Sequence, residues 1–413
     1  MQRADNPRPS TAAATVAVAG RPRVTLLLCT LAALAEGFDN QAMGVAAPKL
    51  VREFALSAGQ ASLIFSAGTL GLFLGAAIGG RWADRVGRRR VLIASMLLFG
   101  GSALLTAAAR GPVSFLLIRL LTGLGLGGAM PNFIALSSEA VHERRRVSAV
   151  TVVMAGMPLG GALAGLMALG ETLGWDWRVI FYVGGAVPLL LALLLSAWLP
   201  RGRPARPEAG AASPALESVG SVLFGSQRAV TTGLLWGGFF FTQLILLLML
   251  NWLPSLVVGL GFSAAQASLA SVVFNVAGSL GAMQLGRLHA GTHRRRWVII
   301  TYAGMAVALA LLPEAHSFAL ALLAIALAGI VIIGAQLILF ALAPLYYPRP
   351  IRGTGVGAAV SIGRLGSVFG PLYAGALLSA GGGSGVVLLG IIPFVLLGGS
   401  AALALTRKPQ CTD

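Results

Sequence analysis

Charge is scarce in this sequence of 413 residues, and it is lopsided. Only 10% of positions are charged, 13 of them acidic, and lysine occurs twice against 28 arginines. Polar stretches are scarce as well, and the longest runs from Arg201 to Arg228. With 57% hydrophobic residues the chain has too little polar surface to cover a water-soluble globule. Its two cysteines, Cys29 in the first apolar run and Cys411 in the tail, exclude a disulfide framework and suggest no redox or zinc role. Of four histidines, His142 opens "HERRR" without the second ligand of a zincin helix, and His289 and His293 stand in a basic loop. No G-x-S-x-G elbow and no phosphate loop appear, and an enzyme is not expected. The net charge of +17 does not point to nucleic acid, because the arginines punctuate apolar runs and do not gather on one polar domain.

Those apolar runs are about 20 residues each, enough for a helix to cross roughly 30 Å of hydrocarbon. Twelve spans are expected, at 24–47, 61–80, 91–109, 113–135, 147–170, 179–199, 229–250, 264–285, 297–312, 318–342, 353–378 and 384–405. The fold class is an all-α polytopic membrane protein. Residues 1–23 carry four arginines ahead of the first run, as a signal peptide would. That run holds Glu36 and Asp39, exceeds a signal h-region and lacks a clean cleavage site, so it is kept as a span. If both termini are cytoplasmic, the outer loops hold only Lys49, Arg52, Arg110 and Arg178. Arg119 and Arg364 lie within spans, and the inner segments hold the other 24 basic residues. That is the positive-inside distribution.

The chain repeats itself. "GRWADRVGRRR", from Gly80, is echoed by "GRLHAGTHRRR" from Gly286, 206 positions later, and the same offset carries Arg146 onto Arg352. The expected organisation is a cytoplasmic tail (1–23), a six-helix half (24–200), a cytoplasmic linker (201–228), a second half (229–405) and a short tail (406–413). Parallel six-helix halves with a site between them near the midplane are a recurrent transporter architecture.

The first copy of the repeat resembles the loop between the second and third spans of the major facilitator superfamily. Gly80 there lets helices approach, Gly87 makes a turn, and Asp84 beside Arg85 and Arg88 forms a conformational latch; Ala290 in the second copy removes the acid. Span four reads "IRLLTGLGLGGAMPN". Its "GLGLGG" matches a dinucleotide fingerprint by letter, but no strand precedes it, and the glycines are assigned to helix packing. Arg119 before them matches the superfamily motif associated with proton coupling. A charge near the bilayer centre costs about 3 kcal/mol or more, so this Arg needs a partner or a watery cavity.

Span one contains "EGFD". Glu36 and Asp39, three apart, share a helix face, and two such close carboxylates favour one of them holding a proton. The stretch resembles the acidic span-one signature of the aromatic acid/proton symporter branch, with Glu36 where Asp is more usual. Arg364 lies twelve residues, about 18 Å, beyond Arg352, near mid-depth, where its planar fork suits a substrate carboxylate or an ion pair with span one. "MPNFIALSSEA", "LNWLPSLVVGLGFSAAQA" and "ALAPLYYPRPIRGTGVGAAVSIGRLG" also resemble that branch, specifically its phenylpropanoid-acid carriers.

The resemblance implies import of an aromatic carboxylate, 3-(3-hydroxyphenyl)propionate or a related phenylpropanoid acid, across a bacterial inner membrane by alternating access. The proton is the coupling ion, there is no cofactor, and the monomer functions in the bilayer. Glu36, Asp39 and Arg119 are the coupling residues; Arg364, Asn251, Asn275 and Gln336 are the candidate substrate contacts. Carriers of benzoate or hydroxybenzoate type are the alternative, and so is an antiporter, though Met157 interrupts the Gly156–Pro158 pair that an antiporter would place together.

Overall fold

The computed structural model describes residues 22–142, 145–199, 223–225, 228–289, 294–348 and 351–408. Six helices form the first half: α1 (Pro22–Glu53), α2 (Ala58–Val86), α3 (Arg88–Ala107), α4 (Pro112–Glu139), α5 (Arg146–Leu169) and α6 (Arg178–Trp198). The second half has α7 (Ala229–Gly259), α8 (Ala264–His289), α9 (Arg294–Leu311), α10 (Phe318–Leu342) and α11 (Arg352–Ser379), then a final span made of α12 (Ser384–Gly390) and α13 (Ile392–Leu405). The expected final span, 384–405, is thus broken once, at Ile391. Pro393 in the first turn of α13 has no N–H to donate, and its ring crowds the carbonyl of Leu389. α7 overruns its expected end because the apolar run continues through Trp252 and stops at Gly261, whose φ is +96°.

The duplication is visible in the packing. In the first half α2 lies against α4, α1 against α5, and α3 against α4 and α6; in the second, α8 lies against α10, α7 against α11, and α9 against α10 and α13. Individual contacts repeat at the offset of 206. A Cβ on Gly160 of α5 would lie 1.9 Å from the Leu34 carbonyl oxygen, and one on Gly366 of α11 would lie 2.1 Å from that of Phe240. Gly123 against Gly68 and Gly329 against Phe274 are a second such pair, at 2.0 and 2.2 Å. No side chain fits these seams, so backbones touch backbones. The "GLGLGG" glycines are therefore packing residues: Gly123 and Gly127 press on α2, and Gly125 on Phe99 of α3.

The halves meet through α2 with α11, α5 with α8, and α1 with α7. Most of that contact lies at the end bearing the α1–α2 and α7–α8 turns. Gly375 meets Ser62 and Ala58 there, Gly165 meets Ser268, and the Phe65 and Trp252 rings pack edge to face at 5.2 Å. At this end α1 is clasped to α6. Glu53 accepts from the Trp177 indole at 2.6 Å and from Arg178 at 2.7 Å, and the Arg178 guanidinium sits 4.4 Å over the Trp177 ring. Those donors, the indole first, hold the Glu53 carboxyl below its ordinary range. A depressed folded-state pKa adds stability above the unfolded value, near 4.3, and that stability is lost as pH falls through the folded value. The thermal midpoint of the detergent-solubilised protein is expected to fall more steeply below about pH 4.3 in wild type than in Glu53→Gln. Parallel curves would show that the clasp carries no such linkage.

At the opposite end, Gly87 turns α2 into α3 with φ +95°, as the latch motif requires. Arg88 ion-pairs with Glu139 at the end of α4, and Arg89 donates to the Ser196 carbonyl of α6. Gly80 departs from expectation. Nothing lies within 4 Å of where its Cβ would be, whereas Gly79, one residue earlier, meets Gly128 at 2.6 Å. Close approach falls on the face that α2 turns to α4, and Gly80 is rotated off it. Arg85 is exposed. The side chain of Asp84, the turn of the second copy (290–293), residues 201–222 of the linker and both chain ends lie outside the described residues.

Candidate functional site

Asp39 lies eight residues and Arg119 six residues in from the outer ends of spans one and four, a shared depth of about 10 Å at which the two charges are expected to meet, and they do. Arg119 Nη1 donates to both carboxylate oxygens of Asp39 at 3.0 Å, joining α4 to α1, and the two residues are 5% and 1% exposed. In so dry a place either charge alone would be costly, and the pair is the arrangement that makes both tolerable. The pairing is one-sided, since Arg119 Nε is buried without a hydrogen-bond partner. Beside the guanidinium is a small cavity lined by Asn40, Phe65, Gly68, Thr69 and, from the other half, Leu247 and Asn251. The Asn251 amide donates to its own helix, at the Leu247 carbonyl, 2.8 Å away.

Glu36, one turn before Asp39 on the same face, is 1% exposed and both its carboxyl oxygens lack a hydrogen-bond partner. Arg364 of α11 acts on it electrostatically, but the expected ion pair between Arg364 and the span-one carboxylates is not formed. The guanidinium instead places Nη2 3.2 Å from the Met130 sulfur of α4. Depth along a helix, which the sequence gives, does not fix which neighbour a long side chain meets; here α4 supplies Met130 at that spot. Among the described residues Arg364 is thus a cation between the halves with no carboxylate within ion-pairing distance.

Asn275 is hydrogen-bonded within the protein. Its amide is committed to Gln41 Oε1 of α1, at 3.0 Å, and to the Ser271 carbonyl, while Gln41 donates onward to the Leu250 carbonyl of α7 at 3.0 Å. The relay ties three helices from two halves. It is backed by Gly161, where a Cβ would come 2.6 Å from Asn275 Oδ1, and by Gly44, where one would come 2.5 Å from the Leu250 oxygen. Asn275 therefore ties the halves together in this structure, and Gln41, its partner, is a residue the sequence alone did not single out. Gln336 of α10 is 8% exposed with its Oε1 unpartnered.

The comparisons agree with this architecture. The model of the Major Facilitator Superfamily matches residues 29–371 and 252–411. The chain is 42% identical to the 3-(3-hydroxyphenyl)propionate transporter of Escherichia coli (strain K12), covering 95% of this chain and 97% of that one. It is 33% identical to the gallate transporter of Pseudomonas putida, over 92% and 90%. The solved inward-open xylose transporter XylE from E. coli superposes with a TM-score of 0.71 at 19% identity, over 95% and 97% of the two chains, a likeness of fold. Two six-helix halves, the repeated loop and the family model together place this chain in the major facilitator superfamily.

Proposed function

We propose that the protein imports an aromatic carboxylate together with protons by alternating access of its two halves. The buried Arg119–Asp39 pair carries the proposal: an ionisable pair held at the half-to-half interface, beside a cavity, is the device a proton gradient can act on. Protonation of Asp39 weakens its hold on Arg119, and deprotonation restores it, so the proton's arrival and departure alter a contact next to the moving interface. Arg364 supplies the positive partner that a carboxylate leaving water needs.

The substrate class follows from relatives that carry aromatic acids. 3-(3-Hydroxyphenyl)propionate or another phenylpropanoid acid is the leading candidate, ahead of benzoate-type acids. The orientation is that of the basic-residue distribution, with both termini and the 201–228 linker in the cytoplasm of a bacterium and the chain in its inner membrane. The α1–α2 end is then periplasmic, and the close cross-half packing there suits a carrier closed to that side. Leu117, Leu193, Leu323 and Leu396, all more than half exposed, suit a bilayer around a single copy.

The test is uptake into proteoliposomes under an imposed proton gradient, with a panel of radiolabelled phenylpropanoid, benzoic and hydroxybenzoic acids. Accumulation of phenylpropanoid acids that collapses with a protonophore is the expected result. Uptake of none of the panel, or uptake indifferent to the gradient, overturns the reading.

A further inference from the structure

α7 and α10 run antiparallel and touch, with Gly238 beside Leu339 and the Phe239 and Phe340 rings edge to face at 5.3 Å. Four residues onward along α7 and four back along α10 lie Gln243 and Gln336, each on the same helix face as its aromatic partner. The ring contact therefore brings these two amides level with each other, one turn deeper. Both have a buried Oε1 with no hydrogen-bond partner. Buried side-chain acceptors are rarely left so, and two at one level are better explained by a donor that arrives than by packing.

The neighbourhood says what kind of donor. Gly363 rests against Phe239, its Cβ position 3.2 Å from that of the ring, which puts Arg364 at the level of Phe239 and Phe240. Gln243 is then roughly 5 Å farther along α7. The offset of 206 matches Gln336 to Met130, whose sulfur touches Arg364 across the interface. Position 336 on α10 is thus the counterpart, in the repeat, of the α4 position that meets Arg364. The second half thus places a guanidinium at one level, aromatic rings beside it, and two amide oxygens in want of a donor about a turn away.

We infer that Gln243 and Gln336 form a seat for a ring hydroxyl, so that the carrier selects hydroxylated aromatic acids over their unsubstituted counterparts. The phenolic O–H donates to one amide oxygen and the phenolic oxygen accepts from the N–H of the other amide, while the carboxylate lies at Arg364. This deepens the reading of the protein as an aromatic-acid importer and rests on it. A site that hydrogen-bonds a substrate hydroxyl rejects the analogue lacking it, because its own polar groups are then left unpaired.

The experiment is binding of 3-(3-hydroxyphenyl)propionate and of 3-phenylpropionate to purified protein in detergent, for wild type, Gln243→Met and Gln336→Met. Methionine keeps the length and unbranched shape of the side chain while removing the amide. Wild type is expected to prefer the hydroxylated acid by about tenfold or more, and each variant to lose most of that preference by weakening the hydroxylated ligand alone. Gln336→Glu, which retains an acceptor, is expected to keep more of the preference than Gln336→Met. Equal affinities for the two acids in wild type, or an equal loss of both in the variants, overturns the hydroxyl seat while leaving aromatic-acid binding intact. Failure of wild type to bind either acid overturns the importer reading itself, and the seat with it.

Discussion

Asp39→Asn carrier in proteoliposomes is expected to show no substrate accumulation under a proton gradient. It should still exchange labelled for unlabelled substrate when both faces are loaded. Asparagine cannot release a proton, so the step that returns the empty carrier with its pair re-formed is lost, whereas exchange does not need that step. The variant should also be less stable. Arg119 meets both Asp39 oxygens in a nearly dry site, and removing one partner of such a pair costs about 3–5 kcal/mol, because the remaining charge is left uncompensated. Adding Arg119→Leu removes that charge and is expected to recover much of the thermal midpoint without recovering accumulation. Undiminished accumulation in Asp39→Asn would move the proton site to Glu36, the remaining buried carboxylate on this face.

Arg364→Ala is expected to weaken binding of 3-(3-hydroxyphenyl)propionate by roughly 100-fold, since a charge-assisted hydrogen bond contributes about 1.5–3 kcal/mol and a fork can make two. Arg364→Lys keeps the charge and loses the fork, so its affinity should fall between the two. Loss of folding is not the expected cause, because among the described residues the guanidinium's hydrogen bond goes to the Met130 sulfur, a weak acceptor. Equal affinity of wild type and Arg364→Ala, measured on purified protein, would take Arg364 out of the site. Arg119, with its unpartnered Nε turned to the neighbouring cavity, would then be the cation to test.

Much of this was legible without coordinates, for identifiable reasons. Hydrocarbon thickness sets span length, so the helices follow from apolar runs, and the chain's own offset of 206 exposes the duplication. Asp39 and Arg119 were paired by counting depth from the outer ends of spans one and four, and a shared depth is enough when two short-range charges must find each other. Depth was not enough for Arg364, whose reach allows several partners, nor for Gly80, where one residue of rotation decides whether a glycine faces a neighbour. The Gln41–Asn275 relay could not be found at all. Gln41 looks like an ordinary polar residue in a span, and its partners lie more than 200 positions away on two other helices. Gln243 was passed over for the same reason, since only the Phe239–Phe340 contact shows which way it turns.

The repeated glycine seams make the two halves alike in backbone, yet the charges are not repeated. At the offset of 206, Glu36 corresponds to Thr242, Asp39 to Ile245 and Arg119 to Ile325, while Arg364 corresponds to Pro158. A chamber with matching charges on both sides would offer an elongated ligand two equivalent poses, head for tail. This one holds acids on the first half and its unpaired cation on the second. In the proposed binding mode, a molecule with an anionic end and a hydroxylated end has one polarity between the halves, and keeps it from entry to release without having to tumble inside the protein.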